Sequence, residues 1–118
     1  MREEAEIVES LVEGNAGRNK AEISARDILE LASVELGRAL EASELCDALQ
    51  RIESGEADAE AESVIDAATY ICHRVADKMF GDCIDEANDE WSEVDIVTEW
   101  VNFNTGTPTD VAVVVRPA

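Results

Sequence analysis

The stretch VDIVTEWVNFNTGTPTDVAVVV, residues 94–115, decides between a mixed α+β fold and an all-helical one. Its two ends are rich in β-branched and aromatic residues, which favour strands, and they flank the turn-forming sequence Asn104-Thr105-Gly106-Thr107-Pro108-Thr109. This pattern predicts a β-hairpin. The competing interpretation is a helix that is capped by Ser92 and Asp95 and runs to Trp100. Because an isolated hairpin is only marginally stable, it must pack on helices, gain further strands or pair with a second chain.

The chain before the hairpin, residues 1–90, is predicted to be mainly helical. Apolar residues recur there at helical spacing in four segments, and the clearest of these begins at Ser24, a capping residue with Asp27 three positions later. Ser43 is the predicted cap of the next helix, which ends at Gly55.

A long buried stripe is predicted over residues 64–80, and a short further helix is expected to begin at Asp82. The expected fold is therefore a single α+β domain over residues 1–118, with about four helices and a C-terminal hairpin within residues 91–118. The alternative is an all-α domain.

The composition is typical of one folded domain. A chain of 118 residues can bury a core without disulfide or metal, and 46% hydrophobic residues argue against wholesale disorder. The sequence has no apolar run of about 18 residues, and its N-terminus is acidic where a signal peptide would be basic. We therefore expect a cytoplasmic protein that does not enter membranes. Three widely spaced cysteines indicate reduced thiols rather than a disulfide framework.

The formal net charge of −19 is the feature that bears most directly on function. Such a charge repels polyanions, so direct binding to nucleic acid or to an anionic membrane is not expected, whereas a cationic partner is favoured. The highest concentration lies in residues 82–99, here called the acidic segment, which contains no Lys, Arg or His.

On a helix, carboxylates three and four residues apart stand about 5 to 6 Å from one another, close to the phosphate spacing of a nucleic-acid backbone. The acidic segment follows that rhythm, and an exposed Trp91 or Trp100 beside the acids would supply an apolar anchor. The predicted partner-binding residues are Asp82, Asp85, Glu86, Asp89, Glu90, Trp91, Glu93, Asp95 and Glu99. A second acidic run comprises Glu53, Glu56, Asp58, Glu60, Glu62 and Asp66.

Catalytic and metal-binding chemistry is poorly supported by the sequence. His73 is the only histidine, and its neighbour Cys72 would point about 100° away from it on a helix, so the two side chains cannot act as a pair. Cys46, Cys72, His73 and Cys83 lack the paired spacing of a zinc site. We therefore expect neither enzyme activity nor a cofactor, and we interpret Cys72 as a small buried hydrophobe.

Small, single-domain, strongly acidic chains without a catalytic motif resemble the inhibitors that phages and mobile elements make, notably anti-CRISPR proteins and DNA mimics. The resemblance covers composition and charge layout, and it implies a stoichiometric protein partner with a basic groove. The expected function is inhibition of a basic nucleic-acid-binding protein. One alternative is an immunity protein or antitoxin that neutralises a basic toxin, and another is a housekeeping domain of a salt-adapted organism. A homodimer formed through the hairpin is a further possibility.

Overall fold

Four helices and five strands make up the part of the chain that the structure describes, which is residues 3–81, 84–85, 90–91, 96–101 and 107–117 of a computed structural model. The helices are α1 Glu4–Gly14, α2 Ala25–Leu36, α3 Ala42–Ser54 and α4 Ala59–Phe80. The strands are β1 Ala21–Ser24, β2 Ile84–Asp85, β3 Glu90–Trp91, β4 Ile96–Trp100 and β5 Val111–Pro117. The predicted α+β class with four helices is confirmed.

A three-stranded antiparallel sheet has the order β1-β5-β4, so the last strand of the chain lies in its centre. Strands β4 and β5 form the predicted hairpin, and Ile96 lies opposite Pro117 while Trp100 lies opposite Val113. The alternative helix running to Trp100 is therefore wrong, as is the all-α fold. β-Branched and aromatic side chains fit a pleated, half-buried surface better than a helix.

Strand β1 was not predicted, and it gives the hairpin the third strand that it needs. Ala21 and Ile23 are fully buried, whereas Glu22 between them is half-buried, which is the alternation of a strand with one face on the core. Ser24 ends this strand and also caps α2, because its Oγ accepts a hydrogen bond from the Asp27 backbone N–H at 3.2 Å. The predicted helix start at Ser24 is confirmed.

Helix α2 ends just before a glycine, and the start of α3 differs from the prediction. Helix α2 ends at Leu36, and Gly37 follows it with a φ of +74°, a left-handed conformation that glycine adopts without strain. Helix α3 is preceded by Glu41, not by Ser43, because the Glu41 backbone N–H donates to the Glu44 carboxylate at 3.3 Å. Glu44, the third residue of the helix, therefore provides the capping hydrogen bond that the sequence predicted for Ser43.

Helix α4 is the centre of the core. It contacts α1, α2 and α3 as well as β1, β4 and β5. The predicted stripe is confirmed, since its members from Val64 to Val75 are buried. The side chains below 2% exposure include Ile7, Ile23, Ile28, Leu31, Leu45, Ile71, Val75, Val113 and Val115, which come from five helices and strands besides α4.

The predicted helix after Asp82 is wrong in the two places where this region is described. Strands β2 and β3 pair antiparallel, with Ile84 opposite Trp91 and Asp85 opposite Glu90. A helix here would have stacked like charges at every three- and four-residue interval, which is unfavourable, and Ile and Trp favour strands. Strand β2 contacts α4.

Candidate partner-binding surfaces

The acidic segment follows α4 in the chain and ends within β4. The structure places Asp85, Glu90 and Trp91 in the β2–β3 ribbon and Glu99 in β4. The remaining predicted partner-binding residues, Asp82, Glu86, Asp89, Glu93 and Asp95, lie outside the described residues. In the ribbon, two acidic residues stand directly opposite one another, a pairing that is unfavourable in an isolated hairpin.

Glu99 is the one acidic residue of the acidic segment whose side chain is described, and it is exposed. It lies opposite Val114 of β5, which in turn lies opposite Glu22 of β1. Directly opposed residues project on the same face of a sheet, so two acids flank the half-buried Val114 on the face turned away from the core. This outer face also carries Arg116, opposite Val97.

Trp100 does not provide the exposed anchor that was considered from the sequence. It is half-buried and packs against the hydrophobic core, as expected for a residue on the inner face of β4 opposite the buried Val113. The side chain of Trp91 is outside the described part. Among the described residues, an exposed apolar side chain beside the sheet is instead that of Val101, which is 50% exposed and directly follows β4.

The second acidic run forms a surface between the end of α3 and the first half of α4, here called the α3–α4 acidic surface. All six of its acids are exposed: Glu53, Glu56, Asp58, Glu60, Glu62 and Asp66. Arg51 is the base within it, and its guanidinium contacts the Asp47 carboxylate through Nε at 2.9 Å and the Asp58 carboxylate through Nη1 at 3.2 Å. A cavity of about 140 Å³ lies beside Arg51 between the two helices.

Arginines elsewhere on the helical part also pair with nearby acids. The pairs are Arg18 with Glu22, Arg26 with Glu30, Arg38 with Glu44, and Arg74 with Glu4. Hydrogen bonds from the Glu41 backbone N–H and from Arg38 hold the pKa of Glu44 below its usual value. Such exposed pairs stabilise the fold only slightly. Their effect is to offset negative charge locally, which the acidic segment cannot do because it contains no base.

His73 and the described cysteines, Cys46 and Cys72, are at least partly buried, as is typical of residues that stabilise a fold. His73 is 5% exposed, and its Nδ1 lies 2.9 Å from the Thr69 carbonyl oxygen. Burial raises the pKa of the Cys72 thiol to about 12, so the thiol is protonated and unreactive at neutral pH. Cys46 is half-buried, and Cys83 lies outside the described residues. Within the described ranges, no cluster of His, Cys, Asp and Glu could hold a metal ion.

Comparison with known proteins gives no relative from which a function could be transferred. No protein-family model, no curated protein and no solved structure matches the chain. In the part of the chain that the structure describes, no helix is both long enough and apolar enough to cross a membrane. Function must therefore be inferred from charge and geometry.

Proposed function

We propose that this chain is a non-enzymatic inhibitor that binds the basic groove of a nucleic-acid-binding protein, as an anti-CRISPR protein or another DNA mimic does. The observation that carries the proposal is the base-free span from Met79 to Val115. It holds nine acidic residues and no Lys, Arg or His, and it supplies the β2–β3 ribbon and β4.

Two parts of this span, β2 and β4, are attached to the folded core. Strand β2 contacts α4, and β4 is hydrogen-bonded to the central strand of the sheet, so Asp85 and Glu99 belong to strands that are attached to the folded core. Long-range attraction between this anionic span and a complementary basic groove speeds the encounter.

The proposal is tested by capture followed by competition. The full chain serves as bait in a host lysate at about 50 mM and about 500 mM NaCl, because exposed charges more than a Debye length apart are screened at the higher salt. Proteins retained only at the lower salt are identified by mass spectrometry and purified, and the chain is then titrated against their complexes with double-stranded DNA. We expect the chain to displace the DNA when the amounts of chain and captured protein are nearly equimolar. A captured protein that keeps its DNA would contradict the proposal.

The wide distribution of exposed acids favours a second candidate, a housekeeping domain of a salt-adapted organism. Exposed acids occur on all four helices and not only on the acidic segment, which is the layout expected of a surface that holds water at high salt. The two candidates differ in their response to dilution. An inhibitor remains folded at about 50 mM NaCl and binds more tightly there, whereas a salt-dependent domain loses its helical circular dichroism as the screening of like charges is removed.

A further inference from the structure

The hydrogen-bond register of β4 shows which of its backbone groups point away from the sheet. The Val101 N–H donates to the Ala112 carbonyl oxygen at 3.0 Å, and these two residues continue the β4–β5 register as directly opposed partners. Hydrogen-bonded and non-hydrogen-bonded pairs alternate along an antiparallel ladder. Val97 and Glu99 therefore direct their N–H and C=O groups toward β5, whereas Thr98 and Trp100 direct theirs toward the opposite edge.

That opposite edge of β4 is open in the described part of the chain. The sheet order is β1-β5-β4, and no strand among residues 3–81, 84–85, 90–91, 96–101 and 107–117 pairs with β4 on its far side. The other end of the sheet differs, because the Asn15 side chain occupies the outer edge of β1, where its Oδ1 accepts from the Glu22 backbone N–H at 3.1 Å and its Nδ2 donates to the Glu22 carbonyl oxygen at 3.4 Å. An open edge offers unpaired donors and acceptors to any extended chain of suitable charge.

The charge at this edge selects the occupant. Strand β4 lies in the middle of the base-free span, and its outward-facing Glu99 is exposed. A strand added to the open edge would place one residue directly opposite Glu99 in a close, non-hydrogen-bonded pair with Cα atoms about 4.5 Å apart. A lysine or arginine there would gain a cross-strand ion pair, and an acidic residue would be repelled.

We propose that the open edge of β4 receives an extended, Lys- or Arg-containing segment of the partner as a fourth strand of the sheet. This inference rests on the proposed function and specifies how the basic partner is held. Backbone hydrogen bonds to Thr98 and Trp100 supply affinity, and the base opposite Glu99 supplies selectivity, as in other complexes formed by strand addition. A second copy of this chain fits poorly, because β4–β4 pairing would bring two base-free strands and two charges of −19 together.

Nuclear magnetic resonance on the full ¹⁵N-labelled chain tests the proposal with a defined probe. The probe is a short capped peptide that alternates valine with lysine or arginine, added at low salt. Hydrogen exchange of the Thr98 and Trp100 amides should slow by about tenfold or more, because these N–H groups become paired. A peptide of the same sequence with every amide N-methylated keeps its charge but cannot form the ladder, and it should give no protection. A peptide with glutamate in place of each base should not bind.

Matched charge reversals separate strand addition from general attraction. Glu99→Lys and the control Glu35→Lys change the net charge equally, and Glu35 is an exposed residue of α2 away from the sheet edge. Glu99→Lys should weaken peptide binding by about fivefold more than the control. Equal weakening, equal binding of the N-methylated peptide, or unprotected Thr98 and Trp100 amides at saturation would each overturn the strand-addition proposal. The proposed function is overturned by a different result, namely failure of the chain to displace DNA from the captured protein.

Discussion

Asn15 joins the end of α1 to β1, and its replacement tests whether this joint holds the N-terminal third of the fold. The side chain is 5% exposed. Its Nδ2 donates to the Leu11 carbonyl oxygen at 2.8 Å, and its Oδ1 accepts from the Glu22 backbone N–H at 3.1 Å. The Glu22 N–H therefore depends on Asn15 for its hydrogen bond, whereas the Leu11 carbonyl also accepts from the Asn15 backbone N–H at 3.1 Å.

Asn15→Ala removes the side-chain hydrogen bonds of Asn15, which also include two longer ones to the Glu22 carbonyl oxygen and from Arg18, and leaves the Glu22 N–H without its partner. An intramolecular hydrogen bond contributes about 1 kcal/mol, and an orphaned, poorly solvated donor costs about 1 to 3 kcal/mol, so the variant should lose about 2 to 3 kcal/mol of stability. For a domain of this size that corresponds to a fall in Tm of about 10 °C. The measurement is chemical denaturation followed by circular dichroism, with thermal melting in parallel.

Asn19→Ala is the matched control, because Asn19 is exposed in the same loop. It should change the free energy of unfolding by less than about 0.5 kcal/mol. A second variant, Asn15→Asp, keeps the shape but replaces the donor by a charge that faces the Leu11 carbonyl oxygen, so its stability should fall as the pH rises above about 4, the usual pKa of an aspartate. Equal stability of Asn15→Ala and Asn19→Ala would refute the assignment of Asn15 as a joint.

Three further predictions concern the charge, the sheet edge and the thiols. The first prediction replaces four acids of the acidic segment together by serine, namely Asp85, Glu86, Asp89 and Glu90. The helical circular dichroism should be unchanged, because none of the four falls within the ranges of α1 to α4. Association with a captured partner should slow at least tenfold at low salt, because electrostatic steering typically changes association rates by about tenfold or more. Unchanged association, or equal slowing by four Glu→Ser changes in α1 and α2, would count against the acidic segment as the contact. In the free protein, the amides of Thr98 and Trp100 should exchange faster than that of Val97, and the reverse order would show that the register was misassigned. Iodoacetamide at pH 8 should label Cys46 before Cys72, as read by peptide mass mapping, because Cys72 is buried and its pKa is raised to about 12; early labelling of Cys72 in folded protein would contradict its burial.

The helical half of the fold was predictable because its signals are local. A capping serine at Ser24, the glycine Gly55 after α3 and an unbroken apolar stripe each act within a few residues of where they occur. The hairpin was predictable for the same reason, since β-branched runs flank a turn sequence. Strand β1 was missed because four residues are too few to show a period, and because Ile23 also suits the position just before a helix.

The sequence shows the negative charge of the candidate surface, but it did not predict the backbone conformation of its described residues. The run of acids after Asp82 has the spacing of a helix, but spacing alone does not count the repulsion between neighbouring like charges, which favours an extended chain. The open edge of β4 could not be foreseen either. It depends on which strand takes the centre of the sheet, and that is decided by long-range pairing of β5 with β1.

The central position of β5 also affects the order in which the protein can fold. Strand β1 must wait for a partner that is synthesised about ninety residues later, so the sheet cannot form until residues 111–117 have left the ribosome. The helices have only local requirements and can form earlier. During that interval the apolar face of β1 has no strand beside it, and its short length limits the opportunity for the nascent chain to aggregate.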